Sequence, residues 1–247
     1  MKRLKSFWLP SAIGVLLIFA LIHIAGTLKG DSLVFPGVIS ILSAFVRLLR
    51  DERTYLMMLT TCLHLLRALA ISACVGTVVV LAEGLYPWLE RLLKPLMSFL
   101  RAVPMIVLII LVMVLSPYER VPVIAASLML IPMISEATKE GCRSIPPELI
   151  DVYRMNSDLN LRVLTHVYLP MMSGYLRQAF AEAAGTGMKL VITGEYMVQI
   201  RNSLGKAIFS SSYFNEYQDI YAYTVIMVLM ILLLSELPVR LMRKWGK

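Results

Sequence analysis

The chain has 247 residues, of which 58% are hydrophobic and only 16% charged, and its formal net charge is +8. A mean hydropathy of +0.74 lies far outside the range of soluble domains, in which about a quarter of residues are charged, and it excludes an ordinary soluble fold. The basic surplus, which in a soluble domain would suggest nucleic acid, is read here as Lys and Arg held on the inner side of a membrane, so no nucleic-acid partner is expected.

Apolar stretches long enough to cross a bilayer, about twenty residues each, recur along the chain, whereas a transmembrane barrel would show short alternating segments. The expected class is an all-α polytopic membrane protein with about six transmembrane helices and both termini inside. The first, about 9–28, follows the basic start "MKRLKSFWLP" and could pass for a secretory signal. Without a convincing small-x-small cleavage site it reads as a first span. In the outer segment 29–56, "VISILSAFVRLLRDERTYL" places Ile39, Leu42, Phe45, Val46 and Leu49 on one helical face. Its charged end predicts an interfacial helix rather than a span.

Further spans are expected at 57–82, 96–116, 120–137, 172–196 and 220–242, the third broken by Pro104 and the fourth by Pro122 and Pro132. Such breaks are tolerated where neighbouring helices or a cavity satisfy the freed backbone. No tandem repeat or flexible linker is visible, so residues 1–247 are expected to form a single membrane domain. Lys and Arg outside the spans favour this orientation by roughly two to one. The three cysteines, Cys62, Cys74 and Cys142, show neither metal spacing nor a disulfide framework.

Between the fourth and fifth spans the chain turns polar, in "PPELIDVYRMNSDLNLRVLTHVYLP" from Pro146 to Pro170. Pro146 and Pro147 suit a helix start, and Glu148 and Asp151 suit the positive end of its dipole. Leu149, Val152, Leu159, Val163 and Val167 recur at roughly helical spacing, interrupted by Asn156, Ser157 and Asp158. Two short amphipathic helices on the inner face follow, serving either as a juxtamembrane connector or as a docking element for a soluble partner.

The order of these residues resembles the permeases of ATP-binding-cassette importers. Asp151, Val152 and Tyr153 stand where that family has a Glu-Ala-Ala triplet, Arg154 follows, Ser157 replaces a glycine, and Leu169-Pro170 fall in register. Beyond this passage, "LKPLMSFLRAVP" resembles the start of the family's third span and "ITGEYMVQIRNSLGKAI" the end of its fifth, with Glu195 and the Ser203-Leu204-Gly205 turn in place. A glycine usual after the third span is missing at "LSPYER". The branch most resembled imports nitrate, sulfonates such as taurine, bicarbonate and related small or heterocyclic nutrients.

The resemblance implies a permease core over about 54–243 and a coupling segment over about 146–170. Glu148, Asp151, Val152, Tyr153, Arg154, Ser157, Leu169 and Pro170 would meet a separate ATPase. It implies a bacterial inner-membrane subunit with three kinds of partner: an ATPase dimer, a second permease copy or paralogue, and a periplasmic or lipid-anchored substrate-binding protein. ATP and magnesium would be held by the ATPase, and this chain would bear no cofactor and catalyse no reaction itself.

Within the fifth span Glu182, Thr186, Lys189 and Thr193 follow one another at steps of four, three and four residues, a single helical face. A lysine facing lipid at mid-bilayer costs at least ~2.5 kcal/mol, so Lys189 is expected to face a bundle interior or an aqueous path. It could make a structural hydrogen bond there, or, as the resemblance implies for this span, Thr186, Lys189 and Thr193 could line the translocation path. Ala183 and Gly187 would allow close helix approach on a neighbouring face. Glu195, near the outer end, reads as a surface carboxylate or as a gate or receptor contact. Glu136, Lys139 and Glu140 read as a solvated helix end, and His23, His64 and His166 as isolated.

"GDSL" at Gly30–Leu33 copies a hydrolase motif whose soluble scaffold and late histidine are lacking, and "LGKA" at Leu204–Ala207 is no phosphate loop. A stand-alone secondary transporter would be expected to show an inverted repeat. An intramembrane enzyme would need a nucleophile or paired acids within the spans.

Overall fold

The computed structural model describes residues 36–146, 148 and 169–245. Among these the fold is helical throughout, with no strand. In chain order the helices are α1 (Val38–Arg50), α2 (Glu52–Leu85), α3 (Pro87–Ala102), α4 (Met105–Leu115), α5 (Val121–Arg143, preceded by a 3-10 turn at Tyr118–Arg120), α6 (Leu169–Val198), α7 (Leu204–Tyr213) and α8 (Tyr217–Trp245). The expected first span at 9–28 lies outside the described residues.

Asp51 separates α1 from α2. Its extended backbone ends α1, and its carboxylate caps α2 by accepting from the Arg53 amide. Helix α1 forms as expected, but it packs on α8 through Ile41, Ala44 and Leu48, leaving Ile39, Leu42 and Val46 exposed.

The third span breaks at Pro104, as expected. Residues 96–116 are not one helix: α3 and α4 meet at Val103-Pro104 with a bend of 109°. Pro104 has no amide to donate back along the helix and forces the residue before it out of the α region, so Val103 sits at φ −67°, ψ 131°. Among the described residues three helices are long and apolar enough to cross a membrane, Glu52–Leu85, Tyr118–Arg143 and Tyr217–Leu234, or four if the bent pair counts as one. Helix α6, expected as a span, falls outside this set by composition. The prolines of α5 are accommodated differently from each other. Pro122 opens the helix and Pro132 sits inside it without ending it.

Helix α6 lies at the centre, packed most extensively on α5 and also on α8, α7 and α2. The core joins Leu65 and Ala68 of α2, Ala126 and Leu130 of α5, and Ala183, Met188 and Val191 of α6, with Ala222 and Ile226 of α8. Small residues set the spacing, as they do where helices associate in lipid. A Cβ on Gly187 would lie 2.8 Å from Leu65 Cδ1, and one on Gly194 would lie 2.9 Å from Pro122 Cα. This is the close approach expected from Ala183 and Gly187. The chain is a polytopic, all-helical membrane protein.

Candidate functional site

The packing of α6 fixes what its other side presents. At 100° per residue, Ala183, Gly187, Val191 and Gly194 occupy the face that meets α2 and α5. Glu182, Thr186, Lys189 and Thr193 occupy the opposite one. Glu182, Thr186 and Lys189 are exposed and Thr193 is half-buried. The Thr193 hydroxyl donates to the Lys189 carbonyl at 2.8 Å, a bond within the helix. Among the described residues the Lys189 ammonium has neither an ion-pair nor a hydrogen-bond partner. The polar stripe therefore points away from this chain's own bundle.

Glu195 is found elsewhere than a surface. It is 0% exposed, and its carboxylate gathers three donors from two other elements. Oε2 accepts from Thr61 Oγ1 at 2.9 Å and from the Gly205 amide at 3.2 Å, and Oε1 lies 2.7 Å from His64 Nδ1. A carboxylate only accepts, so His64 carries its proton on Nδ1 in this pairing. Thr61 in turn accepts from the Leu204 amide at 3.1 Å, so one hydroxyl bridges α2, α6 and the start of α7.

The turn into α7 is shaped to reach this acid. Gln199 and Asn202 take positive φ of 56° and 53°, and Ser203 caps α7 by accepting from the Lys206 amide at 3.2 Å. Gly205 then passes so close that a Cβ would sit 2.4 Å from Glu195 Cβ and 2.6 Å from the Tyr196 amide nitrogen. The surface reading of Glu195 is thus corrected: a buried carboxylate is costly unless hydrogen-bonded, and here Thr61 and His64 of α2 and the Gly205 amide of the Ser-Leu-Gly turn supply the donors. His64 is likewise not isolated. The sequence held one signal for this, two polar residues three apart, Thr61 and His64, on one face of a long and mostly apolar helix.

At the other end of the bundle, Lys139 of α5 bridges Glu83 of α2 (2.7 Å) and Glu90 of α3 (3.2 Å), while Arg101 of α3 pairs with Glu136 at 2.6 Å. The expected solvated helix end holds for Glu136 and Glu140, which are exposed, but not for Lys139, which ties α5 to α2 and α3 through the buried Glu83 and through Glu90. These side chains border a cleft of about 480 Å³.

Of the expected coupling residues, Asp151, Val152, Tyr153, Arg154 and Ser157 lie outside the described residues. Glu148 is exposed just beyond α5, and Leu169 and Pro170 open α6, where a proline's missing amide costs no hydrogen bond.

Residues 76–244 match the family described as binding-protein-dependent transport system inner membrane component. Among solved structures the chain is similar to one from the MetNI methionine ABC transporter in inward-facing conformations, with a TM-score of 0.56 and 19% identity, covering 78% of this chain and 98% of that one. At that identity the likeness is one of fold. No curated protein matches in sequence.

Proposed function

Because this chain belongs to the family of binding-protein-dependent transport system inner membrane components, we propose that it forms the translocation path of an ATP-binding-cassette importer and is driven by a separate ATPase. The observation that carries this reading is the polar stripe of α6. Lys189 stands opposite the packed face of its helix, without a partner among the described residues and too costly to leave in lipid. Such a face needs either water or a second permease against it. Two permeases meeting along α6 would enclose Thr186, Lys189 and Thr193 around a path with a positive centre, suited to a small anionic or polar heterocyclic nutrient. Nitrate and sulfonates are of that kind.

The passage from 146 to 170 would seat in the ATPase, with Glu148, Asp151 and Arg154 supplying charge and Leu169-Pro170 fixing where α6 resumes. A substrate-binding protein on the outer side would deliver the nutrient, and the assembly would sit in a bacterial inner membrane. The enclosure of Glu195 supports a gate held shut by the turn at Ser203–Gly205 more than direct contact with a receptor.

The test is reconstitution. Two copies of this chain, or one with a paralogous permease, should purify together with two ATPase subunits and take up substrate into liposomes only when ATP is supplied. A monomer that transports without any ATPase would overturn the reading.

A further inference from the structure

Helix α3 turns an apolar face outward and its charges inward. Leu85, at the end of α2, and Trp88, Leu92, Leu96 and Phe99 of α3 recur at three and four residues, and all are exposed. The charges turn the other way, toward α5: Glu90 meets Lys139 and Arg101 meets Glu136. Near mid-helix Arg91 falls at the border between the two faces, with Lys94 one step further round toward the cleft, so one cation stands beside the uncovered apolar stripe and a second leads from it into the cleft.

The charges around the cleft do not cancel. Its lining carries Arg91, Lys94, Arg101, Lys139 and Arg143 against Glu83, Glu90, Glu136 and Glu140. Lys139 is taken by two glutamates and Arg101 by a third. Arg91, Lys94 and Arg143 remain with no ion pair among the described residues, and Glu140 is the one lining acid left over. The cleft lies at the end of the bundle from which the polar 146–170 passage leaves, the end that the excess of Lys and Arg assigns to the inner side.

From this juxtaposition we propose that the cleft between α3 and α5 is a binding site for an anionic phospholipid of the inner leaflet. The headgroup phosphate is held by Arg91, Lys94 and Arg143, and the acyl chains lie along Trp88, Leu92, Leu96 and Phe99. Each part answers a separate need. An amphipathic helix lying in the interface buries its apolar face at the headgroup boundary, and a basic pocket between helices on the cytoplasmic side suits a negative headgroup. A cleft of about 480 Å³ is roomy enough for a glycerophosphate group. A soluble anion would use the cations alone, whereas a lipid uses the cations and the apolar stripe that begins beside Arg91, so lipid is the occupant this surface favours.

The test uses the full chain in nanodiscs of phosphatidylcholine, alone or mixed with phosphatidylglycerol, with retained lipid counted by native mass spectrometry. The wild type should keep phosphatidylglycerol in strong preference to phosphatidylcholine, a comparison that needs no variant. Arg91→Ala with Lys94→Ala should weaken that retention by about tenfold or more. Arg91→Lys with Lys94→Arg should restore it, and Arg120→Ala at the opposite end should leave it unchanged. Equal retention of the two lipids, or no loss in the alanine pair, would overturn the site. Displacement of the lipid by millimolar inorganic phosphate alone would overturn the lipid assignment in favour of a free-anion site.

Discussion

Lys189 is a charge at mid-helix whose seven-residue neighbour Glu182 lies about 10.5 Å along the axis, too far for a direct pair. Thr186 and Thr193 flank it on the same exposed side of α6. With no acid paired to it among the described residues, replacing it by methionine strands no carboxylate there, and the packed face of α6 is untouched. Lys189→Met is therefore expected to leave assembly intact and lower maximal uptake several-fold, measured at saturating binding protein. Lys189→Cys should react with water-soluble thiol reagents from one side of the membrane. Normal uptake by the methionine variant, together with a thiol inert from both sides, would make the residue structural. This stripe was legible in the sequence because its members lie along one helix. The pairing of His64 with Glu195 was not, because 131 residues separate them and no local period connects the two.

Helices make the same point on a larger scale. The extents of α2, α6 and α8 follow from apolar runs, but the fate of the third span depended on what Pro104 does to Val103, a bend of 109° rather than a kink. Which face of α1 meets protein was also hidden, since its apolar residues cover more than one side and only the presence of α8 selects Ile41, Ala44 and Leu48. The meeting of α2, α6 and α7 at Glu195 is the element-scale feature with the sharpest consequence. Gly205→Ala would drive a Cβ into backbone, 2.6 Å from the Tyr196 nitrogen and 2.7 Å from the Ile192 oxygen, where no flexible side chain can yield. Overpacking of this kind costs ~1–3 kcal/mol. Glu195→Ala leaves the Thr61, His64 and Gly205 donors without their acceptor, each unpaired buried group costing about 1–3 kcal/mol. Both variants should lower the thermal midpoint in detergent. Because they disturb one turn, the double variant should lose less than the sum of the two. Strict additivity would show that the turn and the carboxylate are energetically separate.

Taken as a whole molecule, the chain joins two ends that differ in kind. At one, the Glu195 cluster holds α2, α6 and α7 together; at the other, ion pairs from Glu136 and Lys139 hold the end of α5 to α2 and α3. Helix α5 runs from beside Gly194 of α6, where Pro122 touches it, to this second cluster and then into the polar passage, after which α6 begins at Leu169. A force applied to residues 146–170 would thus reach the two most closely packed helices at once. If a soluble ATPase supplies that force, the contact must survive the stroke, and charged groups buried at such an interface are sensitive to reversal. Losing one partner of a buried, hydrogen-bonded charge pair costs about 2–5 kcal/mol, which at the lower figure weakens binding about thirtyfold. Asp151→Arg or Arg154→Glu should therefore leave membrane insertion and the thermal midpoint unchanged while the ATPase no longer co-purifies and ATP-driven uptake is lost. Restoring uptake by a compensating reversal on the ATPase would identify the matching charge. Undiminished uptake with residues 149–165 scrambled would reduce the passage to a connector, and the force would then have to enter through the cleft that Lys139 borders.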